Sequence, residues 1–231
     1  MQGENVAPIE FANVSAAQRT NRVLRNTYML TAIALVPMAL GALLGAQMSF
    51  GFLRSNPIMG TLGMLAVLYG LMFAIQANRT SGIGIALLLA FTGVLGVMTG
   101  PLLQNVLSFN NGGSLIAFAV MGTAAVFFGM AAISSAVKTP LTGLGKFMMI
   151  GGIILMVAVV ANIFLQMPLF SMVISALFIL FSSMMILYQL NAIVTGGEDN
   201  YISATLTLVV SIYNIFVSLL QLLGIFGGSR D

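Results

Sequence analysis

Thirteen residues carry charge in a chain of 231, and the long intervals between them constrain what it can fold into more than any motif does. A charged side chain at the centre of a bilayer is costly, so uncharged intervals mark where a chain can cross. A helical crossing needs about 20 apolar residues. Arg25 and Arg54 are separated by 28 uncharged residues, and Arg54 and Arg79 by 24, so each interval holds one span. Arg79 to Lys138 leaves 58, which is two spans, divided where Gly100-Pro101-Leu102-Leu103-Gln104-Asn105 leads into Asn110-Asn111-Gly112-Gly113. Lys138 to Lys146 is too short to cross. Lys146 to Glu198 leaves 51 residues, again two spans, divided at Gln166-Met167-Pro168, because proline disfavours helix at the residue before it. Asp199 to Arg230 leaves 30 and one last span.

The seven spans expected are Tyr28–Gln47, Pro57–Gln76, Gly82–Leu103, Ser114–Ala136, Phe147–Leu165, Leu169–Val194 and Ser203–Phe226. Their runs are continuously apolar, whereas strands of a transmembrane barrel would alternate. Short loops make neighbouring helices antiparallel, giving one all-α bundle over residues 27–231. Residues 1–26 form a polar tail with few core-forming side chains, expected to be disordered in isolation. Basic residues set the orientation. With the N-terminus in the cytoplasm, Arg19, Arg22, Arg25, Arg79, Lys138 and Lys146 fall inside, against Arg54 and Arg230 outside, and seven spans put the C-terminus in the periplasm. The first span is read as uncleaved, with Gly45-Ala46 beside Gln47 the one stretch resembling a processing site.

Composition removes whole classes of chemistry. The chain has no cysteine and no histidine, which excludes disulfides, thiol nucleophiles, cysteine–zinc centres, histidine-ligated haem and the Ser–His pair of serine hydrolases. Its five carboxylates, Glu4, Glu10, Glu198, Asp199 and Asp231, all lie outside the apolar runs, which argues against an aspartyl dyad and against a proton relay. An interior of amides, hydroxyls and phenols reads as non-enzymatic, with no cofactor and no metal. The net charge of +3 reads as loop charge, not a nucleic-acid surface.

Two sets of residues stand out. Glycines concentrate in the spans, with Gly41 and Gly45 one turn apart and Gly96 and Gly100 likewise, as close helix packing in lipid requires. Polar residues gather in the last two spans: Tyr188, Gln189 and Asn191 on the sixth, Ser211, Tyr213 and Asn214 on the seventh. They are compatible with an interhelical hydrogen-bonded clamp, a hydrated ion path or a substrate site. The seventeen methionines are scattered and read as packing residues.

Beyond these readings, the order of several short motifs resembles a known family. The third span contains Phe91-Thr92-Gly93-Val94-Leu95-Gly96 and ends Gly100-Pro101-Leu102-Leu103. The fourth holds Gly122-Thr123-Ala124 before Phe127-Phe128, and the last carries Tyr201-Ile202-Ser203-Ala204-Thr205 and Ser211-Ile212-Tyr213-Asn214-Ile215-Phe216. Across the chain after residue 20 these look like the Bax inhibitor-1 family of seven-helix membrane proteins. Val23-Leu24-Arg25-Asn26-Thr27-Tyr28, Ala161-Asn162-Ile163-Phe164-Leu165-Gln166 and Gly196-Gly197-Glu198-Asp199-Asn200-Tyr201 are similar to its bacterial YccA subgroup.

The resemblance implies a bundle whose C-terminal helix is wrapped by the other six, with Gly93, Gly96, Gly100 and Pro101 as packing positions. Many members carry an aspartate pair that latches a pH-sensitive calcium leak, and its positions fall on Gln189 and Ser211, neither of which can titrate. The subgroup implies instead a bacterial inner-membrane protein that binds and modulates the membrane-anchored ATP-dependent protease FtsH and is itself a substrate of it. A calcium leak without pH gating is the alternative. Arg19, Arg22 and Arg25 are assigned to topology and to contact with lipid.

Overall fold

The computed structural model describes residues 7–51 and 55–228, with side chains from Gln18 onward except that of Pro57. Among the described residues the helices are α1 Ala7–Gln47, α2 Pro57–Ala77, α3 Gly82–Met98, α4 Gly100–Leu107, α5 Gly112–Ala136, α6 Thr142–Leu165, α7 Pro168–Val194 and α8 Tyr201–Gly227. Seven spans are long and apolar enough to cross a membrane: Gln18–Gln47, Ile58–Ala77, Gly82–Leu107, Gly112–Ala136, Thr142–Leu165, Pro168–Val194 and Tyr201–Gly227. These are the seven read from the charge intervals, with most ends moved by a few residues.

Three ends differ for identifiable reasons. The break expected at Gly100-Pro101 interrupts the helix only at Thr99, because Pro101 stands in the first turn of α4, where its missing N–H costs nothing. The helical path therefore runs on to Leu107. Helix α6 starts at Thr142, taking Lys146 into its second turn, where the side chain is exposed. Helix α1 begins at Ala7, inside the segment read as a tail, so the backbone passes from that segment into the first span with no boundary at residue 26. Residues 1–6 lie outside the described ones. At about 1.5 Å per residue the 41-residue helix is about 60 Å long, twice the thickness of a hydrocarbon core of about 30 Å. Its Arg19, Arg22 and Arg25 are exposed.

Helix α8 forms the centre, packing on α1, α2, α3, α4, α5 and α7. Leu206 and Val209 meet Leu30, Phe91 and Leu95 of α1 and α3. Ala204, Leu208 and Ile215 meet Ile186, Leu190 and Ile193 of α7. Leu220 closes the far end with Leu103, Val106, Leu115 and Ala119. The expectation of six surrounding helices holds except at α6, which rests on α7 and stands off from α8. Large apolar side chains face outward, among them Phe73 at 74% exposure, Phe128 at 69% and Leu169 at 70%. Hydrophobic burial cannot drive helices together inside lipid, so this inversion of the soluble pattern is the expected one.

The tightest seam is α1 against α3 and α4. A Cβ on Gly41 would collide with the Gly93 carbonyl, one on Gly96 with the Met38 carbonyl, and one on Gly45 with the backbone of Val97. Only a missing side chain permits backbones this close. Across the far end Gln104 Nε2 donates to the carbonyls of Gly45, Ala46 and Met48 at 3.3, 3.2 and 2.7 Å, meeting the orphan acceptors at the end of α1.

Candidate functional site

The polar side chains singled out on the last two spans separate into three arrangements along α7 and α8. At the end where α7 turns into α8, the chain reverses through Gly196, whose φ of +79° suits glycine. The reversal folds Glu198 back onto the bundle. Gln189, 7% exposed, donates Nε2–H to Glu198 Oε2 at 3.3 Å, and the other carboxylate oxygen accepts from the Asn200 backbone N–H at 2.9 Å. Asn200 is the N-cap of α8. Its Oδ1 accepts from the N–H groups of Ile202 and Ser203, both at 3.0 Å, and its Nδ2 donates to the Arg79 carbonyl at 2.8 Å in the α2–α3 turn. Gln76 of α2 adds a bond to Ser203 Oγ at 3.3 Å. One carboxylate, three amides and a hydroxyl thus tie three helix ends together.

Ser211 is not part of this hub. Its hydroxyl, 3% exposed, donates to the Thr207 carbonyl one turn back at 2.8 Å. Gln189 and Ser211 are therefore not bonded to each other, and the amide spends its donor on Glu198 instead. Sequence spacing places both near one end of the bundle but does not give their rotation about the helix axes. Glu198 and Asn200 were legible only as a loop carboxylate and its neighbour. An asparagine directly before an apolar run, as at Asn200, is a readable capping signal.

The second arrangement belongs to Asn191, 1% exposed. Its Nδ2 donates to the carbonyls of Val137 and Thr139 at 3.0 and 3.2 Å, and its Oδ1 accepts from Leu141 N–H at 3.0 Å. It holds the loop between α5 and α6 and has its hydrogen-bonding capacity largely filled. Tyr188 lies against Gly145 of α6, where an added Cβ would come within 2.7 Å of its hydroxyl. Tyr213 packs at the edge of the α1–α3 core.

The third arrangement starts at Asn214, halfway along α8, and extends toward the far end. Asn214, Ser218 and Gln221 face Asn162 of α6 and Ser171 and Ser175 of α7 across a cavity of about 270 Å³. Ser175 Oγ donates to Gln221 Oε1 at 3.0 Å, and Gln221 Nε2 donates to Ser171 Oγ. This network was missed, since isolated serines on an apolar helix carry no signal of direction.

Among the packing positions, Gly96 and Gly100 are needed bare, as an added Cβ would strike the carbonyls of Met38 and Gly45. Gly93 is not, since its Cβ would meet only Pro37 at 3.9 Å. Pro101 is half-buried at the start of α4. No group of three or more metal-binding acids occurs among the described residues. None of the three arrangements contains a nucleophile beside a base.

Three relatives give this architecture a context. The chain is 43% identical over 205 residues to an uncharacterized protein of Neisseria meningitidis serogroup A, covering 88% of this chain and 90% of the relative. It is 42% identical over 215 residues to an uncharacterized protein of Pseudomonas aeruginosa, covering 93% and 94%. It is 42% identical over 212 residues to the Escherichia coli K12 protein named "Modulator of FtsH protease YccA", covering 92% and 93%. The family model described as "Inhibitor of apoptosis-promoting Bax1" matches residues 20–228, which takes in all but the first two residues of the seven spans, and the chain belongs to this Bax1-I family of membrane proteins.

Proposed function

We propose that this chain is a non-enzymatic regulator of a membrane-bound, ATP-dependent protease of the FtsH type, residing in the bacterial inner membrane with its N-terminus cytoplasmic and its C-terminus periplasmic. The observation that carries the reading is 42% identity over 92% of the chain to a protein named for modulating that protease. The interior supports it. Buried polar groups are uncharged, the one carboxylate in the hub is engaged by Gln189 and Asn200, and nothing beside them can activate a nucleophile. A bundle of this kind acts by contact. The N-terminal segment, which holds the cluster Arg19, Arg22 and Arg25, gives the protease a place to engage the chain as a substrate.

The calcium-leak reading loses its pH latch in this chain. Two facing carboxylates share protons and split their titrations, whereas Gln189 and Ser211 do neither and bond to different partners.

The test is a pulse-chase comparison of the full chain with a form lacking residues 1–20, in cells carrying the protease, combined with co-purification after crosslinking in membranes. A longer lifetime for the truncated form, with the protease recovered on both, is the expected result. Unchanged turnover together with no recovered protease contradicts the reading.

A further inference from the structure

The central helix has one uncovered face. Thr207, Val210, Asn214, Val217 and Gln221 recur every three or four residues and are half-buried, while positions between them, such as Leu208, Ser211, Ile215 and Ser218, are buried. From Asn214 onward this face looks into the gap left where α6 stands off from α8. On its α2 side Val217 and Gln221 also line a larger opening of about 1100 Å³ that reaches Thr61. Helices α2 and α6, which flank the gap, are joined by a side-chain bond from Tyr69 Oη to Met156 Sδ at 3.2 Å. The result is a crevice open to the side of the bundle. Along α8 its lining starts at Asn214 and continues to Gly228, about 20 Å at 1.5 Å per residue.

The lining of this crevice is not satisfied within the chain. Asn162 Oδ1 is buried and has no hydrogen-bond partner. The Asn214 amide makes no hydrogen bond among the described residues, although it stands about 20 Å from either end of α8. An unpaired amide at that depth is costly in hydrocarbon, and acyl chains offer it nothing. The walls beside it, Val159, Ile163, Phe178 and Val217, are apolar. Serines at the floor keep the surface low. An apolar trough with unpaired amides at mid-depth and near one mouth suits a helix that is itself apolar and carries a hydrogen-bonding side chain near its centre.

We propose that this lateral crevice binds a transmembrane helix of another membrane protein, with Asn214 pairing to a polar side chain at that helix's midpoint and Asn162 to a second group nearer its end. The proposal deepens the partner-binding reading and rests on it only for the occupant being a protein. It assigns the bundle a preference for spans that carry a misplaced polar residue, which a purely apolar span does not offer.

The probe is a pair of synthetic transmembrane peptides, leucine-rich with lysine flanks, one with a central asparagine and one all leucine. Both are reconstituted with the full chain in phosphatidylethanolamine–phosphatidylglycerol vesicles. Because the chain has no cysteine, Thr80→Cys in the exposed α2–α3 turn supplies a single labelling site for energy transfer. The asparagine peptide is expected to bind about fivefold more tightly, the scale of one interhelical amide pair in lipid. Asn214→Leu should abolish the difference with the thermal midpoint unchanged, and Val217→Phe, which fills the trough but keeps both amides, should weaken both peptides. Equal binding of the two peptides, or a preference that survives Asn214→Leu, overturns the proposal. So does labelling of Asn214→Cys by a membrane-impermeant maleimide as fast as Thr80→Cys, since water would then occupy the crevice. No protease is present, so failure here leaves the protease reading standing, and a protease indifferent to the chain leaves this result standing.

Discussion

The seam between α1 and α3 and the crevice beside α8 are built from opposite materials. In the seam, Gly41, Gly45 and Gly96 omit their side chains, and backbone meets backbone without a polar side chain between. In the crevice polar side chains are set among apolar walls, helices stand apart and two amides lack partners. Lipid explains both. Where no hydrophobic drive exists, helices hold by dense packing or by hydrogen bonds, so a seam with neither is one the chain does not close by itself. The contrast separates positions that make the bundle from a position that makes it useful.

The sharpest way to break the comparison is to put a side chain into the seam. Gly96→Leu sets a branched chain where the Met38 carbonyl lies, and should destabilise the fold by about 3 kcal/mol or more, read as a fall in the detergent unfolding midpoint. Next comes Asn191→Ala, which strands the Leu141 N–H and two loop carbonyls and should cost about 2 kcal/mol by the same measurement. Asn200→Ala removes the cap of α8 for about 1 kcal/mol, with faster hydrogen exchange confined to the first turn of that helix as its signature. The smallest effects sharpen the contrast from the other side. Gly93→Ala meets only Pro37, and Asn214→Leu removes an amide that has no partner, so each should stay within about 0.5 kcal/mol of the parent. A large loss at Asn214 would mean that the crevice is part of the scaffold after all.

How much of this the sequence disclosed follows the range of the forces involved. Charge exclusion acts on single residues, so the seven crossings could be read from the distances between Arg25, Arg54, Arg79, Lys138, Lys146 and Glu198. Glycine spacing marked a tight seam but not its partner. Gly41 faces the backbone at Gly93, while Gly93 itself is not crowded, an asymmetry that only the helix rotation settles. Gln189 and Ser211 were paired by the family resemblance, which matches positions along the chain and not the partners of side chains. Their bonds go instead to Glu198, which a loop reversal brings back to the bundle, and to the Thr207 carbonyl one turn back on the same helix. The crevice was illegible for a further reason. Thr207, Asn214 and Gln221 fall on one face of α8 at seven-residue spacing, but whether a face is covered depends on where α6 sits, which no local pattern encodes.

The central claim, that this bundle acts by binding a membrane protease, is tested most directly by the rate of proteolysis. A purified FtsH-type protease and a membrane-protein substrate are placed in proteoliposomes with the full chain, without it, and with the Val217→Phe variant. Substrate loss should slow as the full chain is titrated in and slow less with the filled crevice, while the protease's ATP hydrolysis continues. Identical rates in all three, at protein ratios where the chain is fully incorporated, would contradict the account.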